Sequence, residues 1–452
     1  MMGYLVHFNI VRAADIISSP LNARADAFAD RVIRGSILDR NGNVLAESYI
    51  DESNIERRNY PFGYAFAHVI GYNSRVAGRM GLEFIENTSL LTSNTFFLDQ
   101  LTNEFRGQRN PGDTLITTLD ADLQMAAFNA LGNNNGAVVI IEASTGQIRA
   151  MVSRPTFNPN AIDINWEALN TDEVNSPLLN RVTQGSYAPG STFKAVTSLA
   201  YIRQNTDFTN YHFDCFGAFT VDDTRINCFN GIAHGWQDLR AAFAKSCNGA
   251  YANLGVDLNR SLFRSTADEL LFNKALPSVL PYSRSSFVIN EESTVRQMMM
   301  TAIGQGETMV SPYHMALITA AIANDGILMK PYLVDSVISD AGALVRANEP
   351  VAYGALMTSG EAAILREHMR AVVTEGTAAQ LNGQIFTMAG KTGTAEFSMV
   401  DSDRSHSWFI GFTNVDNPDL VISIIIEGSD GTDGARAVPI VLQIFNSYYS
   451  TP

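Results

Sequence analysis

In Pro189-Gly190-Ser191-Thr192-Phe193-Lys194 a serine stands three residues before a lysine, and Phe193, Val196, Leu199 and Ala200 follow at helical spacing. The pattern predicts a buried helix that begins at Ser191. Free backbone N–H groups and the positive end of the helix dipole then lie beside the hydroxyl. One turn on, the amine of Lys194 shares the face of the serine. A serine hydroxyl is a weak nucleophile until a base takes its proton. A lysine can be that base when desolvation and a second cation lower its pKa.

Two more short words complete the pattern. Ser246-Cys247-Asn248 begins 55 residues after Ser191, and Lys391-Thr392-Gly393-Thr394 begins 145 residues after that. Alone, the first reads as a turn after the helix predicted over Leu239 to Lys245, and the second as a bent strand. Together, in this order, they supply what acyl transfer through a serine requires. Lys391 is the cation beside Lys194, Ser246 relays a proton, and Asn248 holds a substrate backbone. The strand predicted from Thr387 to Phe397 carries Gly390 and Gly393, where a peptide could approach and pair along an edge. The N–H groups of Ser191 and Thr394 are the candidate oxyanion hole.

The rest of the chain frames these words. Pro111-Gly112-Asp113 marks a boundary, and a helix is expected over Thr117 to Leu131, capped near Thr118 or Asp120. Gly136 to Ile141 and Gln147 to Val152 read as apolar strands joined at Ser144-Thr145-Gly146. Met357 to Val373 reads as a helix capped by Thr358 or Ser359. Strands follow at Ser407 to Phe412 and Leu420 to Ile426, and a closing helix at Val438 to Tyr448. Strands at both ends with helices between them predict an α+β domain, one antiparallel sheet covered by helices with a helical lobe inserted. Before the boundary, Val32 to Ser48 reads as two strands turning at Asn41-Gly42, preceded by a polar coil from Pro20 to Asp26.

A net charge of −15, from 31 Lys and Arg against 46 Asp and Glu, argues against a nucleic-acid partner, because phosphate binding needs a basic face. The three cysteines take no nucleophilic part. Cys247 reads as a small buried residue inside its word. Cys215 and Cys228 lie in a turn-rich stretch followed by His234, and three states are open to them. They are a disulfide, free buried thiols, or ligands of a structural zinc with His234 and either His212 or Asp214. His406, before Trp408, reads as a structural histidine or part of the substrate-side wall.

On these three words the chain resembles the penicillin-binding proteins, specifically the class B, monofunctional D,D-transpeptidases. The resemblance extends to Arg34 through Gly42, His68 to Tyr72, Gly81-Leu82-Glu83, Ile303-Gly304-Gln305-Gly306 with Pro312, Gly376-Thr377-Ala378 and Trp408 through Phe412. It implies a penicillin-binding transpeptidase, or serine β-lactamase-like, domain over 113–452 and a small pedestal or dimerisation-type module over 12–112. It implies that Ser191 takes an acyl group from a peptidoglycan stem peptide ending in D-Ala-D-Ala and passes it to an amine, and that β-lactam antibiotics acylate the same serine. Lys194 and Ser246 then complete the catalytic set. Asn248, Lys391, Thr392, Gly393 and Thr394 bind substrate. No cofactor is required. A membrane glycan polymerase is the implied partner.

The same resemblance implies a cell-membrane anchor with the catalytic domain on the extracytoplasmic side. Residues 1–11 are mostly apolar only from Gly3 to Val11, too few to span, and read as the remnant of a truncated anchor or a juxtamembrane segment. Three neighbouring functions compete: a D,D-carboxypeptidase, a β-lactamase, and a non-enzymatic β-lactam sensor or polymerase scaffold. Trp166-Glu167-Ala168-Leu169-Asn170 superficially resembles the loop that positions water in class A β-lactamases. It is one residue short and precedes Ser191 instead of following Ser246, so it is rejected as that loop. Intact Lys194, Asn248 and Lys391 argue against a pure scaffold.

Overall fold

A computed structural model describes residues 32–94, 102–103, 105–396, 404–430 and 436–450. The expected anchor remnant and the 20–26 coil lie outside them. None of the described helices is long and apolar enough to cross a membrane. The chain divides into two compact units. One takes the described residues up to Gln124 with Pro155–Leu179 and Tyr332–Glu349, and the other takes Met125–Arg154, Asn180–Pro331 and the described residues from Pro350 onward.

In the larger unit five strands form one antiparallel sheet: β1 (Gly136–Glu142), β2 (Ile148–Arg154), β3 (Met388–Glu396), β4 (Arg404–Thr413) and β5 (Leu420–Asp430), in the spatial order β2-β1-β5-β4-β3. The expected hairpin at Ser144-Thr145-Gly146 joins β1 and β2, with Gly146 N donating to Glu142 O at 2.9 Å. β1 and β2 are buried at every position but the last, so helices cover both faces of the sheet. The helices of this unit include α1 (Lys194–Gln204), α2 (Leu239–Ala244), α3 (Asn248–Asp257), α4 (Arg260–Glu269), α5 (Val295–Ala302), α6 (Pro312–Ala323), α7 (Ser359–Thr374) and α8 (Ala437–Tyr449). All twelve residues of α6 are buried, and it packs on β1, β4 and β5. The cap of α7 is Thr358, in a reciprocal box with Glu361. β3 is the edge strand, as a peptide-pairing site requires.

The smaller unit draws strands from both sides of Pro111-Gly112-Asp113. Its six-stranded sheet runs Leu344–Ala347, Val334–Ile338, Thr114–Thr117, Ile37–Leu38, Val44–Ile50, Glu56–Asn59. Thr114–Thr117 thus lies past the boundary expected at residue 112, yet pairs parallel to Ile37–Leu38 and antiparallel to Val334–Ile338. Thr117 ends this strand rather than opening a helix. The helix begins at Ala121, with Asp120 Oδ1 accepting from the N–H groups of Asp122 and Leu123 at 3.1 Å. A four-residue strand carries no mark of which distant strand it will join.

A buried ion cluster ties this unit together. Glu83 is fully buried and accepts from Arg34 Nε at 2.5 Å and Arg58 Nε at 2.7 Å. Arg34 also donates to Asn87 Oδ1 and to Glu83 O, each at 2.6 Å. Burial alone would raise the pKa of Glu83. The charges of Arg58 and Arg34 and their hydrogen bonds overcome that and hold it below the usual glutamate range. Glu83→Gln leaves two guanidinium groups uncompensated. In denaturant unfolding it should lower stability by about 3–5 kcal/mol. A depressed carboxylate contributes stability above its unfolded pKa and loses it as pH falls through the folded value, so the gap to wild type should close in acid. An unchanged unfolding midpoint at neutral pH would refute this role.

Candidate active site

Ser191 lies in a 3-10 turn, Gly190–Phe193, that runs directly into α1. Gly190 has φ +54°, and a Cβ built there would stand 2.5 Å from Thr394 O. A Cβ on Gly393 would stand 2.9 Å from Thr192 Cγ2 and 3.2 Å from Pro189 O. These two glycines let the serine turn and the edge strand meet. Thr394 O faces the turn, and within one strand residue the N–H and C=O point to the same side. The Thr394 N–H therefore also faces away from β4, toward the Ser191 turn. Gln305 Nε2 donates to Thr394 O at 3.4 Å.

The centre of the site is the Ser246 hydroxyl. Lys194 Nζ donates to Ser246 Oγ at 3.2 Å, to Ser246 O at 2.8 Å and to Asn248 Oδ1 at 2.8 Å. Lys391 Nζ donates to the same Oγ at 2.9 Å and to Thr392 O at 3.0 Å. Both lysines are fully buried. Lys194 stands 5.2 Å over the ring of Tyr251, and Lys391 5.6 Å over that of Phe243. Burial lowers the pKa of Lys194 to about 7, with the thiols of Cys247 and Cys228 opposing the shift. Burial, then the charge of Lys194, pushes Lys391 well below the ordinary lysine value.

Ser246 reaches this position through backbone strain. It has φ +55°, in the left-handed region that a residue with a Cβ seldom adopts. Helices on either side impose it: Ser246 N donates to Phe243 O, Cys247 N to Ala242 O, and Cys247 caps α3 with Sγ accepting from Ala250 N. Ser191 is half-buried, and among the described residues its Oγ has no hydrogen bond, since Lys194 spends its donors on Ser246 and Asn248. Resting sites often tighten such contacts only when substrate enters.

The structure thus gathers Ser191, Lys194, Ser246, Asn248, Lys391, Thr392, Gly393 and Thr394 into one place. It adds Thr377, whose Oγ1 lies 2.6 Å from Thr392 Oγ1, and Gln305. Both stand in stretches that carry the resemblance, so a signal for them existed without a role attached. His406 is buried, its ring 5.2 Å from that of Tyr187. Tyr187 OH donates to Glu427 Oε1 at 2.5 Å, and Arg181 Nε to the same oxygen at 2.9 Å. Glu167 is exposed, on a helix of the other unit.

The cysteines differ from the expectation. Cys215, Cys228 and His234 come together, but the fourth member is Cys247 from the Ser246-Cys247-Asn248 word. His212 instead stacks on Trp236 at 4.2 Å, and Asp214 is exposed. Local spacing pointed to neighbours of Cys215; the cap of α3 brings a residue from beyond α2.

Comparison with known proteins places the chain in a family. The penicillin binding protein transpeptidase domain matches residues 136–446, and the penicillin binding protein A dimerisation domain matches 34–115. The chain is 32% identical to the peptidoglycan D,D-transpeptidase PbpA of Mycolicibacterium smegmatis, over 92% of this chain and 90% of that protein. The ceftriaxone acyl-enzyme complex of penicillin-binding protein A from M. tuberculosis superposes with TM-score 0.85 at 28% identity, covering 94% of this chain and 99% of that one. The D,D-transpeptidase domain of a peptidoglycan glycosyltransferase from Eggerthella lenta gives 0.82 at 29%, covering 92% and 99%.

Gly190→Ala tests the close approach of turn and strand. The new Cβ must displace the Thr394 backbone at a positive φ, which costs about 1–3 kcal/mol. It should slow covalent modification of Ser191 on the order of a hundredfold while the chain stays folded. Thermal unfolding and labelling kinetics check both, and wild-type labelling would show that the approach is dispensable.

Proposed function

The chain belongs to the penicillin-binding protein transpeptidase family, and we propose that it is a peptidoglycan D,D-transpeptidase that works through an acyl-enzyme on Ser191. The observation that carries the assignment of roles is the Ser246 hydroxyl held between Lys194 and Lys391. Ser191 Oγ attacks the carbonyl of the penultimate D-Ala of a stem peptide, and its proton passes to Lys194, the base. The oxyanion is held by the N–H groups of Ser191 and Thr394. As the amide C–N bond breaks, Ser246 relays the proton to the leaving D-Ala amine, and Lys391 steadies that hydroxyl. A stem-peptide amine from a neighbouring strand then attacks the ester, forming the crosslink and freeing Ser191. Asn248 and Thr392 hold the substrate backbone, which lies along the open edge of β3. A β-lactam presents the same carbonyl, but its leaving nitrogen stays tethered to the acyl group.

The supporting comparison is with relatives described as D,D-transpeptidases and with structures that are β-lactam acyl-enzymes. The membership also supports a place at the cell membrane with the catalytic unit outside it. A membrane glycan polymerase is the partner this reading assigns to the module at 34–115.

Intact-mass spectrometry after incubation with penicillin tests the assignment. A single long-lived adduct is expected on the wild type and none on Ser191→Ala. An adduct that vanishes as free drug is consumed would instead make the protein a hydrolase, and no adduct would overturn the reading. The pH dependence tests Lys194. Its neutral form is the base and its pKa is about 7. The acylation rate should therefore fall about tenfold per pH unit below that value and level off about one unit above it. A flat profile from pH 5.5 to 8.5 would remove Lys194 from this role.

A further inference from the structure

We propose that a groove at the C-terminal ends of α1 and α3 is a second, non-catalytic site that binds a neutral saccharide, the glycan backbone of the substrate. Its volume is about 470 Å³. Small-molecule sites commonly measure about 300–1,000 Å³. Tyr201 and Gln204 at the end of α1, the segment that follows as far as His212, and Asn253 and Asp257 on α3 form its wall. All ten lining side chains carry a polar group, and none is Lys or Arg. Two helix C-termini add their negative dipole ends. Anions are therefore turned away.

The floor of the groove is fixed and its rim is not. Gln204 Nε2 donates to Asp257 O at 2.9 Å, and its Oε1 accepts from Asn259 N at 2.7 Å, which ties the two helix ends together. Tyr211 is buried, with its hydroxyl 3.0 Å from Ala250 O and 3.1 Å from Asn253 Oδ1. Its ring stands edge-on to that of Tyr201 at 5.4 Å. Among the described residues, by contrast, the carboxylates of Asp207 and Asp257, the side-chain amide of Asn210 and the Nδ2 of Asn253 engage no protein group. Partial burial raises the pKa of Asp257, and no cation offsets it. Carboxylates and amides side by side offer acceptors and donors together, as the hydroxyls of a sugar require. An organic cation would use the carboxylates and leave the amide donors idle.

A second observation is independent of the groove. Trp236 is 67% exposed and stacks on His212, a lining residue, at 4.2 Å and 20°. The two rings project from one face of the ribbon formed by His212–Cys215 and Gly235–Asp238. An indole in water at the edge of a polar groove offers the apolar surface on which the C–H face of a sugar ring packs. That the sugar is the glycan backbone rests on the transpeptidase reading, because a stem peptide is carried on a glycan strand. The eleven residues of α1 put about 15 Å between Lys194 and the groove, so the groove can be altered without touching the chemistry.

Calorimetric titration of the full chain with the tetramer of β-linked N-acetylglucosamine, and with glycan strands stripped of their peptides, tests the site. Both should bind saturably and change tryptophan fluorescence, and Trp236→Ala should abolish the fluorescence change. The double variant Asp207→Ala, Asn210→Ala alters two exposed residues and should weaken binding at least tenfold. Its thermal unfolding and its acylation by a fluorescent penicillin should stay as in the wild type. Failure of both glycans to bind, undiminished binding by the double variant, or a preference for cadaverine that high salt abolishes would each overturn the saccharide site. A tetramer bound with the strands refused would overturn the glycan assignment. A chain that binds the strands but is never acylated would support the groove and count against the transpeptidase reading.

Discussion

Two amines crowded on one buried hydroxyl set the terms for the rest of this structure. Lys194 and Lys391 both reach Ser246 Oγ, and neither is exposed to water. Two ammonium groups in one dry space repel each other, and each has lost its hydration. A carboxylate would relieve this, but among the described residues none enters the surroundings that shift either lysine. The fold supplies weaker partners: main-chain carbonyls of Ser246 and Thr392, the Asn248 amide oxygen, and the faces of Tyr251 and Phe243. These hold the amines in place without neutralising them. The outcome is an amine near neutrality, which can accept a proton, beside a hydroxyl that can pass one on.

Holding that geometry requires segments far apart in the chain to arrive with little freedom. The helix start bearing Ser191 is pressed against β3 by two glycines, at Gly190 and Gly393. Ser246 is forced into a left-handed backbone between two helices, each anchored by its own hydrogen bonds. Lys391 comes from the edge strand of a sheet whose inner strands are buried on both faces. Strain at Ser246 persists because the flanking elements over-determine it. The conformation places the carbonyl and hydroxyl of one residue on the same lysine.

Much of this was legible before any coordinates. Asp120, Thr358 and the hairpin at Ser144-Thr145-Gly146 act through neighbours three or four residues away, so local chemistry exposes them. The meeting of the three words was legible because acyl transfer restricts which residue types can serve, and the structure brings those residues together. What stayed hidden was non-local. Thr114–Thr117 joins a strand more than two hundred residues away, and its four residues cannot say so. Cys247 looked like a filler inside its word because its sulfur partners come from beyond α2. Thr377 and Gln305 stood in recognisable stretches, but only the fold shows which atoms of β3 they touch.

The same scarcity of carboxylates bears on the fate of the acyl-enzyme. An ester on Ser191 can be attacked by water or by an amine. Water needs a base to become a nucleophile, whereas a neutral amine already carries its lone pair. Glu427 is already engaged by Arg181 and by the hydroxyl of Tyr187. Glu167 is exposed. Among the described residues, the bases left at the site are Lys194 and its relay through Ser246. These suit an amine acceptor, which needs only to shed a proton as the new amide forms. On the proposed roles, an environment that leaves Lys194 near neutrality, with no carboxylate among the described residues to oppose it, serves two ends: it activates Ser191 and leaves the acyl-enzyme waiting for an amine.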